Sequence, residues 1–264
     1  MALMTKIYYF SGTGNSLWSA KKIAKSLGTH AELHNIAALV QKDEIVIEAD
    51  VLVIVFPSYA YGLPLIVRRF FKKARIKAKY TAAFVTYGSN PGGSLGALRR
   101  ILKKKDSGKL YFGNIPAAEN FLAIFGAPKE EKLKHRLSMQ EQATEEAIRS
   151  IMEERENKVS GFYPFSAFVS MLFSLAVKIF YKSYTLGKDC KGCAVCEQIC
   201  PAAAISMKNG RPVFRDKCEL CQACVDVCPF RAIQFGRVKH GTGGYRHPAV
   251  GIDELGRKSF ASVL

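Results

Sequence analysis

The sequence predicts an α/β protein in two parts: a doubly wound, parallel five-stranded sheet within residues 1–158, then a small α+β domain at residues 187–238. Three observations predict it. Short β-prone runs alternate with helical stretches through roughly the first 120 residues, the signature of βαβ units. One of those runs, VLVIVF at residues 51–56, is apolar on both faces, as a central parallel strand must be. All eight cysteines fall between residues 190 and 228, in two copies of one spacing.

Residues 6–10, KIYYF, read as the first strand and run into Ser11, Gly12, Thr13, Gly14, Asn15 and Ser16. The helical stretch LWSAKKIAKSL follows, and Trp18 among its apolar neighbours reads as core. Strand, glycine-rich hydroxyl loop and helix together make a phosphate site. The loop and first helical turn offer unpaired backbone N–H groups, hydroxyls add donors, and glycine lets the backbone come close. The Gly-Lys-Ser/Thr ending of a nucleotide-triphosphate loop is absent, and Leu17 stands where a dinucleotide fingerprint needs its third glycine. The hexapeptide instead resembles the flavodoxin phosphate loop, which implies FMN as cofactor.

Residues 32–36 read as the second strand, 51–56 as the third, 81–87 as the fourth and 109–116 as the fifth, with helices near residues 63–77 and 94–104. That alternation predicts sheet order 2-1-3-4-5, with ligands at the carboxyl ends of the strands. The flavodoxin resemblance implies which loops touch the flavin. Tyr59 or Tyr61 would stack on the ring, Ala60 and Gly62 would give backbone contacts, and Tyr87, Gly88, Ser89 and Asn90 would border its other side. A plain surface turn is the competing reading for either tyrosine.

Residues 129–156 carry apolar side chains at helical spacing and read as a long amphipathic helix. Residues 159–186 read as an apolar helical linker. Within it, residues 159–177 lack any charge, while Ser166, Ser170, Ser174, Lys178 and Lys182 form one narrow polar stripe. Burial against the two domains is the favoured expectation. An interfacial membrane helix over residues 165–184 and a true span are the alternatives.

Cys190, Cys193, Cys196 and Cys200 precede Pro201, and each has a counterpart 28 residues on: Cys218, Cys221, Cys224 and Cys228, before Pro229. The likeness continues into CPAAAI and CPFRAI, so the region is an internal duplication. Three cysteines at two-residue gaps wrap three corners of a [4Fe-4S] cube, and the fourth, before proline, ligates the other cluster. The assignment is therefore Cys190, Cys193, Cys196 and Cys228 for one cluster, and Cys218, Cys221, Cys224 and Cys200 for the other. Disulfides or two zinc sites are the alternatives. The start MALMTKIYYF lacks the pattern of an export signal, which with thiolate chemistry points to a reducing cytoplasm. This region resembles the bacterial two-cluster ferredoxins.

Residues 239–264 read as a tail folded back over the domains, with no role given to His240 or His247. The formal charge of +17 favours acidic partners, nucleic acid or an anionic membrane. Two basic runs stand out: Arg68, Arg69, Lys72, Lys73, Arg75, Lys77 and Lys79, then Arg99, Arg100, Lys103, Lys104 and Lys105. A solvated face is the plain reading of either run, and no nucleic-acid motif accompanies them. The whole chain resembles the flavodoxin–ferredoxin fusion proteins sometimes labelled EFR-type ferredoxins. That resemblance implies electron relay between FMN and two [4Fe-4S] clusters in an anaerobic or microaerobic cytoplasm, exchanging with an acidic ferredoxin or flavodoxin or a small-molecule acceptor. Two rivals remain: an FMN-dependent reductase fed by the clusters, and a basic redox-sensing binding module.

Overall fold

In the computed structural model the described residues are 3–121, 126, 129–160, 163–236 and 244–257. Strands β1 (Thr5–Tyr9), β2 (Ala31–Asn35), β3 (Val46–Pro57), β4 (Arg75–Tyr87) and β5 (Lys109–Pro116) form one sheet in the order β2-β1-β3-β4-β5, every pairing parallel. This is the flavodoxin-like order that the alternation predicted. Side chains alternate across it, as strand geometry requires. Tyr8, Phe10, Leu52, Ile54 and Phe56 pack under α2 (Ile36–Leu39), α3 (Leu65–Lys73) and α4 (Ser94–Leu102). Ile7, Tyr9, Val51, Val53 and Val55 pack under α1 (Asn15–Leu27) and α5 (Glu130–Met152).

The helix expected over residues 63–77 ends at Lys73, and residues 75–79 begin strand β4 instead. The reason is period two. Arg75, Lys77 and Lys79 are exposed while Ile76, Ala78 and Tyr80 are buried, a strand alternation that a helix could not satisfy. The first basic run is thus split between helix and strand. Three of its members meet acids: Arg69 with Glu219, Arg75 with Glu44 and Lys79 with Asp50.

The duplicated region folds as the antiparallel pair β6 (Tyr184–Leu186) with β9 (Ile233–Phe235), the hairpin β7 (Ile205–Lys208) with β8 (Arg211–Phe214), and two short helices, α7 (Val195–Ile199) and α8 (Ala223–Asp226). The repeat reaches the backbone. Left-handed residues recur at Gly192 and Leu220, Ala194 and Gln222, and Ala203 and Arg231, each pair 28 apart. The two small helices thus share one αL N-cap geometry.

Helix α6 (Pro164–Phe180) reverses the burial expected of the apolar linker. Its serine stripe faces inward, and Phe165 and Ile179 are 70% and 65% exposed. Val177 is the one fully buried residue of the helix. Close approach explains the inversion: a Cβ on Gly62 would overlap the Ser170 side chain, and one on Gly93 would lie 3.3 Å from the Ser166 Cβ. Only small side chains fit between this helix and the turns beneath it. Trp18 also departs from expectation. It is half-buried rather than core, its ring stacked on His247 at a centroid distance of 4.9 Å. The tail does fold back, through residues 244–257, whereas His240 lies outside the described residues.

Candidate redox centre

The loop at residues 11–16 leads into α1 through Gly14, at φ 103°. Ser11 Oγ accepts from the Gly14 N–H at 3.1 Å. Among the described residues the backbone N–H groups of Thr13, Asn15 and Ser16 find no partner, as at any helix start. The loop's side chains are more committed than the sequence suggests. Asn15 donates to the Ala118 carbonyl at 3.0 Å and accepts from Tyr245 at 2.6 Å, while Ser16 pairs with Thr86 at 2.7 Å. A space of about 50 Å³ opens here, lined by the loop with Tyr59, Thr86, Tyr87, Gly88 and residues 117–120.

Tyr59 is half-buried, its ring edge-on to Phe10 at 79° and its hydroxyl oxygen out of solvent. Its hydroxyl has no hydrogen-bond partner and lies 3.0 Å from where a Cβ on Gly12 would stand. Burial, then the nearby Cys221, pushes this phenol well above its ordinary pKa, so it remains a neutral donor aimed at the loop. Free N–H groups plus one orphaned hydroxyl fit a phosphate. The expected ring contacts are arranged differently. Ala60 and Tyr61 sit in left-handed conformation at φ 44° and 61°, in a turn closed by mutual Tyr59–Gly62 backbone bonds. Tyr61 and Gly62 look onto a second, larger cavity. Gly88 is covered by Glu119, whose carboxyl also bonds Ser89. Asn90 caps the Gly92 N–H at 2.8 Å. Glu119 carried no sequence signal, because its importance lies only in folding onto Gly88. Burial raises its pKa.

All eight cysteines are free thiols, and they gather in the two crossed groups. Cys190, Cys193, Cys196 and Cys228 line one small cavity. Cys218, Cys221, Cys224 and Cys200 lie within electrostatic reach of one another. Among the described residues no three converge on a position for a single ion. Burial pushes Cys196 and Cys218 up to about 11, so thiolates here need cationic ligation to persist. Backbone N–H groups already point at sulfur, and two of these contacts repeat the 28-residue offset: Ala204 to Cys200 at 3.2 Å and Ala232 to Cys228 at 3.3 Å. Such bonds stabilise negative charge on a cluster's sulfurs.

The two halves share a core, and they come closest to the loop at Gly12. A Cβ on Gly12 would stand 2.8 Å from the Cys221 carbonyl oxygen. Asn120 bridges the gap, donating to Thr13 Oγ1 at 3.2 Å and to that carbonyl at 3.3 Å. Beside Cys218, Glu219 accepts from the first N–H groups of α3, at Leu65 and Ile66, and pairs with Arg69 at 3.0 Å. That carboxylate caps a helix of the other domain, a role invisible in a sequence where 150 residues separate Arg69 from Glu219.

Residues 212–234 match the family described as 4Fe-4S binding domain, a span holding Cys218, Cys221, Cys224 and Cys228. No curated protein matches the sequence. Among solved structures the chain is similar to the Streptococcus pneumonia TIGR4 flavodoxin, at 13% identity and TM-score 0.38, over 57% of this chain and 99% of that one. It is also similar to two-electron reduced Megasphaera elsdenii flavodoxin, at 21% and 0.34, over 54% and 99%. A third likeness is to NAD(P)H:quinone oxidoreductase from Methanothermobacter marburgensis, at 10% and 0.36, over 60% and 99%. The sheet order and the matched cysteine segment define the class: an iron–sulfur protein that joins a flavodoxin-like sheet to a ferredoxin-type domain in one chain.

Proposed function

We propose that this chain is an intramolecular electron relay, with FMN at residues 11–16 and [4Fe-4S] clusters on both crossed cysteine sets. The observation that carries the reading is the apposition of Cys221 on Gly12, with Asn120 bonded to both sides. FMN bound there would exchange one or two electrons where each cluster exchanges one, linking single-electron carriers to two-electron chemistry.

The chain's own residues set the terms. The N–H groups of Thr13, Asn15 and Ser16 with the Tyr59 hydroxyl would hold the phosphate. Tyr87 and Gly88 would border the ring once the Glu119 carboxyl swings aside. Cys221 would hold its cluster beside that site, while Cys193, exposed at the far group, would mark the port for an external carrier. A charge of +17 supports an acidic redox protein, a ferredoxin or flavodoxin, as that carrier, steered at a rate that falls with salt.

The test is a cofactor count after purification without oxygen. One FMN with about eight iron and eight sulfide per chain is expected for two cubes. Full iron without flavin would end the relay reading, and about four iron would leave a single cluster.

A further inference from the structure

A cavity larger than the one at residues 11–16 lies apart from both proposed cofactor sites. It measures about 340 Å³ and lies under helix α6, between Arg68 and Arg100 on one side and Ser166, Ser170 and Ser174 on the other. No acid lines it among the described residues, and the charged neighbour of Arg68 there is Arg100. Arg68 Nε is buried without a hydrogen-bond partner. Two cationic forks with a row of hydroxyls form a receptor for a phosphate or similar anion.

Above this cavity, helix α6 turns its oily side outward. Phe165, Phe168, Leu172, Leu175 and Ile179 are all exposed, and at 100° per residue they share one face. Lys178 and Lys182 stand on the flank of that face. The helix is apolar and long enough, counted as Pro164–Ser183, to be a candidate span. Its serine side, however, rests on Gly62 and Gly93, and Val177 enters the core of the cysteine domain. Resting on the protein by its serine side, it is placed to lie in a membrane surface rather than to cross one.

We infer that helix α6 and the arginine cavity form a docking surface for an anionic phospholipid bilayer, with lipid phosphate at Arg68 and Arg100 and the phenylalanine–leucine face among the acyl chains. Charge decides this occupant over a second copy of the chain. Pairing two such faces would bring together molecules of +17 each, whereas an anionic bilayer complements both the bases and the apolar face. The surface is independent of the relay, since it uses none of the cysteines or phosphate-loop residues.

Vesicle sedimentation with the full cofactor-loaded chain tests it, using phosphatidylglycerol–phosphatidylcholine vesicles against phosphatidylcholine alone. Binding to the anionic vesicles only, weakening with salt, is expected. Leu172→Glu with Leu175→Glu, both exposed and so compatible with folding, should weaken it by about a hundredfold or more. Arg68→Gln or Arg100→Gln should each weaken it about fivefold, with iron and flavin content unchanged in every variant. Absence of binding to anionic vesicles overturns the proposal. So does binding that the leucine variants leave intact, which would be plain surface electrostatics. A lipid-free dimer dissolved by the same variants, or binding of soluble glycerol phosphate without vesicle binding, would reassign the surface.

Discussion

Acidification should release the C-terminal segment from the loop at residues 11–16. His247 is 4% exposed, its ring stacked on Trp18 at 23°. Its backbone N–H donates to the Thr13 carbonyl at 2.8 Å, and its Nδ1 accepts from the Ala249 N–H at 3.2 Å. Protonation would abolish that acceptor and charge a buried ring. Burial, then the charge of Arg246, lowers the His247 pKa to about 4. Lys22, 5.5 Å from the Trp18 ring centre, adds positive charge nearby. Because the folded value lies below the usual ~6.5, the stabilisation is full above that unfolded value and is lost as pH falls towards the folded one. The linkage costs about 2 kcal/mol at pH 5 and about 3 kcal/mol near pH 4.

Trp18 is the sole tryptophan, so its fluorescence reports on the stack directly. A titration from pH 7.5 to 4 should show an emission change beginning below pH 6.5, with flavin retention falling in step. His247→Phe keeps an aromatic partner that cannot be charged and should lack this phase. The same acid transition in the phenylalanine variant, or a His247 ring titrating at its ordinary pKa by NMR, would refute the reasoning.

Cys228→Ala should remove about half the iron; adding Cys193→Ala should then cost no more, whereas adding Cys221→Ala should remove the remainder, as counted by iron analysis. If Cys193→Ala also empties the protein, the ligands do not cross. Gly12→Ala places a methyl 2.8 Å from the Cys221 carbonyl oxygen and should cost about 1–3 kcal/mol while slowing flavin–cluster exchange; an unchanged melting temperature and rate would remove Gly12 from the junction. Glu119→Ala clears a half-buried carboxyl from Gly88 and should tighten FMN retention about tenfold, seen by equilibrium dialysis. Weaker retention would show that Glu119 holds the flavin rather than obstructs it.

Much of this was legible in the chain. Both-face apolarity at residues 51–56 and the loop at residues 11–16 required a central parallel strand ending in a helix start. The 28-residue repeat announced a duplicated cysteine fold, because cube ligation demands a fixed spacing. Where the sequence misled, two signals overlapped. Basic residues 75–79 continue a helical run in composition but alternate like a strand, and the sheet prevailed because Ile76, Ala78 and Tyr80 then reach the core. The serine stripe on α6 marked one face correctly, yet amphipathicity alone could not say which face turns inward. Backbone proximity at Gly62 and Gly93 settled that in favour of the serines.

Local chemistry, written in contiguous residues, determined the sheet order, the glycine-rich turn at residues 11–16 and the two sets of cysteines. Tertiary structure decided the rest. It set Cys221 on Gly12, Glu219 over the start of α3, Glu119 on Gly88 and His247 on Trp18. Those contacts join residues far apart in the chain, and all but the Glu119 contact depend on how the sheet domain packs against the segments that follow it. No period or spacing encodes such a junction, because it arises from the shapes of surfaces that exist only after each half has folded.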